Sequence, residues 1–311
     1  MKREVAVALG QTSVTAALWG TSFPVISVAL KGGLDPSLFV FLRFAVAGPM
    51  MLVIAIAARR GVGRLLRSKA VWVVAFFDAV GFLCQYVGQQ RTPASVAALL
   101  VNLSVVLAAV GAAVFLGERL GAYKVTGVIL AFAGTALIAT NGNLASVAQS
   151  ELVGDALYVL AAFAWAAYIV YAKKKTDEMD WDPFAASTCI VSLTALFLAP
   201  AALVSGGSVP TSSTAWEAVL YTAVFNTAVP FVLYQAGLKH LTAASSAIVL
   251  MLEVVVAVLI SVAFLGETFS AVSLAGALAV LASIFLVSGV EVSGKSLSVG
   301  GIDVEPARVS R

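Results

Sequence analysis

The tetrapeptide FLGE stands at residues 115–118 and again at 264–267. The copies are 149 residues apart, and the same spacing relates the sequence on either side of them. Without gaps, Gly88 aligns with Gly237, Ala94 with Ala243, Leu103 with Leu252, Val105 with Val254, Val106 with Val255, Ala108 with Ala257, Gly127 with Gly276 and Leu137 with Leu286. Ala and Val matches weigh little in so apolar a chain. A four-residue identity containing Gly-Glu in the same register weighs more, and the sequence reads as two related halves.

Apolar residues make up 61% of the 311 and charged residues only 11%, where a soluble domain has about a quarter charged. A hydrocarbon core of about 30 Å needs roughly 20 apolar residues per helix. By that ruler an all-α membrane protein of ten transmembrane helices is expected, at about 5–30, 37–58, 70–90, 94–116, 121–140, 152–172, 183–204, 214–237, 244–265 and 269–290. The halves then occupy 5–140 and 152–290, and the Ser/Gly/Val-rich segment 291–311 is expected to be a flexible cytoplasmic tail. Short linkers leave no room for an extramembrane catalytic domain. The first span starts basic but carries Gln11, Thr12, Ser13 and Thr15 and no cleavage site, so it reads as a retained helix. Cys84 and Cys189 both fall inside spans and suggest no disulfide framework.

Charge sets the expected orientation. With the N-terminus inside, sixteen Lys and Arg fall on the inner side, two (Lys31 and Arg91) on the outer side, and Arg43 within a span. The positive-inside rule then places both termini in the cytoplasm of a multi-pass inner-membrane protein. Five spans per half is odd, so the halves must be inverted. Arg91 counts as outside while the equivalent loop's Lys239 counts as inside. Inverted repeats about an in-plane pseudo-two-fold axis characterise many secondary transporters. Gly81 in span three and Pro230 in span eight share the repeat spacing and read either as paired helix interruptions or as the ordinary Gly and Pro of membrane helices.

FLGE-R and FLGE-T at the ends of spans four and nine, WGTSFP at 19–24, FLRFAVAG at 41–48 and Leu252-Glu253 together resemble the EamA-type transporters of the drug/metabolite transporter superfamily. The resemblance covers about residues 10–290. Where that family often has Pro after the Leu-Glu of span nine and at the matching place in span four, this chain has Val254 and Val105. The resemblance implies a ten-helix basket of two inverted five-helix repeats around a central cavity with alternating access. Helices one, three, four, six, eight and nine would line it. It also implies export of a small metabolite such as an amino acid; some relatives carry nucleotide sugars, vitamins or lipid-linked sugars.

Polar groups inside the bilayer are costly and mark functional candidates. Glu253 lies near the middle of span nine, where a carboxyl can titrate with substrate or serve as a neutral hydrogen-bonding group. Asp78, Phe82, Gln85 and Gln89 share one face of span three, read as cavity lining ahead of interhelical bonding. Trp19 with Ser22, and Trp165 with Tyr158 and Tyr168, place aromatic groups at mid-depth in the first helix of each half. There they clamp an apolar or cationic substrate part or simply pack. Asn102, Asn226 and Tyr234 add hydrogen-bonding groups, and Tyr86 joins the expected substrate-binding set of Trp19, Ser22, Asp78, Gln85, Tyr86, Asn102, Trp165, Tyr168, Asn226, Tyr234 and Glu253. Arg43 reads either as a structural group that snorkels outward or pairs with a carboxylate, or as a recognition group for an anionic part of the substrate; the structural reading is preferred because helix two is not expected at the cavity. Gly117 and Gly266 are read as helix ends, with Glu118 and Glu267 favouring the N-terminus of the next helix.

With one His there is no HExxH, no Cys/His metal cluster exists, and no P-loop is present, so neither an enzyme nor an ATP-driven pump is expected. No cofactor is implied; the expected partners are a small-molecule substrate and the lipid bilayer, not nucleic acid. A lipid-linked-sugar or nucleotide-sugar translocator and a non-transporting scaffold are the alternative classes. The charge asymmetry is tested by cysteines at positions 64 and 207 and an impermeant thiol reagent on intact cells. Labelling is expected at 207 and not at 64; labelling of 64 from outside reverses the orientation.

Overall fold

The structure, a computed structural model, describes residues 2–92, 94–143, 151–265 and 270–293. Among them every regular element is a helix, and nine stretches are long and apolar enough to cross a membrane. The first expected span is not one of the nine. It is broken at Thr21 into α1 (Lys2–Gly20) and α2 (Ser22–Lys31). There follow α3 (Pro36–Ala57), the short α4 (Val62–Leu66), α5 (Lys69–Gly88), α6 (Ala94–Leu116) and α7 (Ala122–Thr140). The second half holds α8 (Leu152–Met179), α9 (Pro183–Val204), α10 (Ser213–Ala223), a π-turn at Val224–Ala228, α11 (Val229–Leu238), α12 (Ala243–Leu250), α13 (Leu252–Leu265) and α14 (Ala271–Ser293).

Local chemistry starts matching helices in the same way. Asp35 caps α3 by accepting from the Leu38 N–H at 2.9 Å, and Asp182 caps α9 by accepting from Ala185 N–H at 2.8 Å. In both, Pro fills the first helical position, where its missing N–H costs nothing. This Asp-Pro pair repeats 147 residues apart and is a second signature of the two halves.

Packing joins like to like. α3 lies on α9, and α7 on α14. The latter pair runs antiparallel: a Cβ on Gly127 would meet Val287, one on Gly134 the Gly276 carbonyl at 2.6 Å, and one on Gly142 would meet Val272. The contacts exchange across the repeat. Gly127 against Val287 becomes, at the 149-residue spacing, Gly276 against Ile138, which is also present. Likewise α5 and α6 pack on α8 as α11, α12 and α13 pack on α1. Large apolar side chains such as Val53, Phe115, Leu203 and Phe285 point outward, the inverse of a water-soluble surface.

Charged side chains gather at one edge. Lys124 pairs with Glu291 at 3.4 Å, and Glu291 accepts from Thr242 and Ser245. The segment after residue 290 therefore begins as helix: α14 runs to Ser293, correcting the expected start of the tail, and 294–311 lie outside the described residues. Glu118 follows Gly117, whose φ of +67° ends α6. Its carboxylate does not serve the next helix, α7, but the N-terminus of α12 in the other half, accepting from Ala243 N–H at 2.6 Å and Ala244 N–H at 3.3 Å. Gly266 and Glu267, their counterparts, lie outside the described residues. At the same edge Lys239 pairs with Asp180 at 2.7 Å and holds that carboxyl below its usual range.

The α7–α14 crossing makes a testable demand. Gly134→Val would drive a side chain into the Gly276 backbone, an overpacking cost of about 1–3 kcal/mol. Its thermal midpoint in detergent is expected to fall, whereas Gly10→Ala, with no atom within 4 Å, leaves it unchanged or raised. Equal melting of the Gly134→Val variant and the parent would remove the close crossing.

Candidate functional site

Three spans are interrupted near their middles, and the interruptions meet. Span one breaks at Thr21, span eight widens into the π-turn, and span nine breaks at Met251 between α12 and α13. Inside a bilayer each lost helical bond needs another partner. Asn226, on the π-turn, supplies several. Its side-chain amide donates to the Leu18 carbonyl and, at 2.9 Å, to the Thr21 hydroxyl. Its own carbonyl accepts from Trp19 Nε1 at 3.0 Å and Arg43 Nη2 at 2.7 Å. The next residue, Thr227, accepts from Arg43 Nε at 2.5 Å while donating to the Thr222 carbonyl at 2.9 Å.

Beside this junction lies a cavity of about 100 Å³. Trp19, Ser22, Gln85, Tyr86, Asn102, Trp165, Tyr168, Tyr234 and Glu253 line it, together with Phe82, Gln89, Ser104 and Arg43. Aromatic rings cluster on the wall: Phe82 meets Trp165 edge-on at 4.7 Å, Tyr168 stacks on Tyr234 at 6.1 Å, and Trp19 lies 5.8 Å from Tyr234. Trp165 is held by its Nε1 donation to Gln85 at 3.2 Å, and Tyr168 by a donation from Gln235 at 3.1 Å. Gly81 proves to be a contact rather than an interruption. α5 is continuous through it, and a Cβ there would stand 2.9 Å from the Trp165 ring. Pro230, at the matching position, does sit in an interrupted span, two residues beyond the π-turn.

Two expected lining residues lie elsewhere. Asp78 is fully buried against α9, accepting from Thr194 Oγ1 at 2.8 Å. It shares a helical face with Phe82 and Gln85 but sits deeper along the axis, where α9 covers it. Asn226 is likewise fully buried and acts behind the wall, as the clasp just described. Conversely, helix two does reach the cavity. Arg43 is 2% exposed, forms part of the lining and lies over the Phe82 ring at 4.9 Å. Glu253, by contrast, presents its carboxyl to the cavity with no hydrogen-bond partner among the described residues. The arrangement can surround a small molecule with aromatic surface and offer it one cation, one carboxyl and several neutral hydrogen-bonding groups.

A model described as the EamA-like transporter family matches residues 9–140 and again 152–289. An uncharacterized transporter of Archaeoglobus fulgidus is 30% identical over 76% of this chain and 81% of its own length. A probable terminal-alkyne amino-acid exporter of Streptantibioticus cattleyicolor is 29% identical over 88% of this chain and 91% of its own. A solved crystal structure superposes with a TM-score of 0.76 at 19% identity, covering 90% of this chain and 96% of its own, which bears on the fold alone.

The clasp predicts a stability effect separable from the wall. Asn226→Leu removes the donor to Leu18 and Thr21 and is expected to lower stability by about 1–3 kcal/mol, read from thermal unfolding in detergent. Asn102→Ala should cost less, because the Asn102 amide only returns to the Ala98 carbonyl of its own helix. Equal losses would show that Asn226 holds nothing beyond its own turn.

Proposed function

We propose, since this chain belongs to the EamA-like transporter family, that it is a secondary transporter exporting a small metabolite such as an amino acid by alternating access. The observation that carries this reading is the meeting of three interrupted spans beside an aromatic and polar cavity. Discontinuous helices at the repeat interface are where such carriers place their substrate. In this reading α1 and α2 together form the first of ten spans, and residues 5–140 and 152–290 are inverted repeats. The antiparallel pairing of α7 with α14, and contacts that exchange at the 149-residue spacing, support that symmetry. Both termini lie in the cytoplasm of the inner membrane, so the charged edge of the bundle is the cytoplasmic one.

The substrate site is assigned to Trp19, Ser22, Gln85, Tyr86, Asn102, Trp165, Tyr168, Tyr234 and Glu253. A volume of about 100 Å³ is well under the roughly 300–1,000 Å³ of small-molecule sites. Admission of a metabolite therefore requires the halves to part, which alternating access provides. The amino-acid assignment draws support from the relative named a probable terminal-alkyne amino-acid exporter.

Glu253 is the coupling group in this mechanism. Among the lining residues its carboxyl and the Arg43 guanidinium are the ionisable groups other than tyrosines, so a proton taken up or released by Glu253 changes the cavity's net charge. Glu253→Gln keeps the shape and cannot ionise; it is expected to flatten the pH profile of initial transport rates in proteoliposomes. Glu253→Ala should lose activity as well. A Gln variant that matches the parent at every pH would rule out proton coupling here and leave a facilitator or exchanger.

A further inference from the structure

Among the described residues Arg43 is the one cation on the cavity wall. Among the described residues its three hydrogen bonds all go to neutral acceptors: Nε to the Thr227 hydroxyl, Nη1 to the Tyr86 hydroxyl at 3.0 Å, and Nη2 to the Asn226 carbonyl. A guanidinium carries five N–H donors, which leaves one N–H on each Nη. Its faces are occupied, with the Phe82 ring 4.9 Å and the Phe44 ring 5.4 Å from its central carbon. What remains is its in-plane edge.

Among the described residues no carboxylate lies within ion-pair distance of Arg43. Asp78 acts on it through space, without contact: its Oδ2 accepts from Thr194 and its Oδ1 has no partner among the described residues. A buried charge without a counter-charge is strongly disfavoured unless something supplies one. Packing alone does not require a cation here. A neutral side chain would serve if the task were only to brace the π-turn, and Asn226 and Thr227 have other partners.

Resting on the transport reading above, we infer that Arg43 is the receptor for a carboxylate on the transported molecule, and that it selects substrates bearing one. The free Nη–H groups offer the planar donor geometry that a carboxylate matches and a lysine ammonium does not. The neutral polar ligands hold that geometry in place before the substrate arrives. Carboxylate binding supplies the missing negative charge, while Phe82, Trp165 and Tyr168 contact the remainder of the molecule. A single cation suits a monoanionic carboxylate better than a phosphate ester of higher charge.

The test uses the full-length protein in proteoliposomes and a panel of the twenty amino acids, their carboxamides, simple mono- and dicarboxylates, phosphate monoesters, amines and neutral sugars. In the parent, a carboxylate compound is expected to compete about 10–100-fold better than its carboxamide, the range for a hydrogen-bonded charge. Arg43→Gln should bring that ratio close to one while retaining transport of the carboxamide, and Arg43→Lys should give an intermediate ratio. If Arg43 only braces the fold, its variants lose carboxylate and carboxamide transport equally, the ratio survives, and the inference is overturned. Should Arg43→Gln not fold, the Arg43→Lys ratio and the parent's own ratio still decide, and a parent ratio near one overturns it. Transport confined to amines, sugars or phosphate esters also overturns it while leaving the transport reading intact. Failure of every panel compound to move would count against transport itself and would take this inference with it.

Discussion

A helix crossing hydrocarbon satisfies its own backbone, and any break in it leaves carbonyls and amides that neither lipid nor water can reach. This chain breaks span one and span nine and distorts span eight, and the three defects lie together. Asn226 makes that possible. It reaches from the π-turn to Leu18 and Thr21, and its carbonyl, displaced from regular helical geometry, receives Trp19 and Arg43. The cavity exists because the defects are mutually satisfied rather than scattered. The same bonds that close the backbone orient one aromatic ring and one guanidinium on the wall, so fold and site share a single network.

That network also explains the division of labour among polar residues. Thr227, whose hydroxyl both donates and accepts, is walled off behind the cavity. Asn226 is walled off too, its amide bonded while its side-chain oxygen has no partner among the described residues. Glu253 and Arg43 line the cavity, where a ligand can complete their bonding.

Much of this was legible in the residues. The FLGE duplication and span lengths led to a helical membrane protein, and the mid-depth Trp and Tyr side chains singled out in the sequence include several that line the cavity. Three features escaped, each for a physical reason. Thr21 and Met251 are ordinary residues, and nothing in helical periodicity marks a break that tertiary partners create. Asp78 shares a face with true lining residues, but periodicity gives angle, and whether α9 covers that depth is a property of the assembled bundle. Arg43 was set aside because helix two was expected at the periphery, although a long side chain reaches well beyond its own backbone. Gly81 and Pro230 hold the same repeat position for different reasons: one makes room for a ring, and the other accompanies a distorted turn. The recurring Asp-Pro helix starts, in contrast, were available in the sequence and add weight to the two-half organisation.

The ion pair between Lys124 and Glu291 has no electrical counterpart across the repeat, where the equivalent positions are Ser273 and Gly142. Ser273 instead approaches Asn141, a neutral contact. At these matched positions one contact between the halves is an ion pair and the other joins neutral dipoles. Because the charged fastening is partly exposed, it weakens as ionic strength rises. Salt therefore acts unevenly on the duplicated fold, loosening one of two matched contacts and leaving its neutral counterpart as it was.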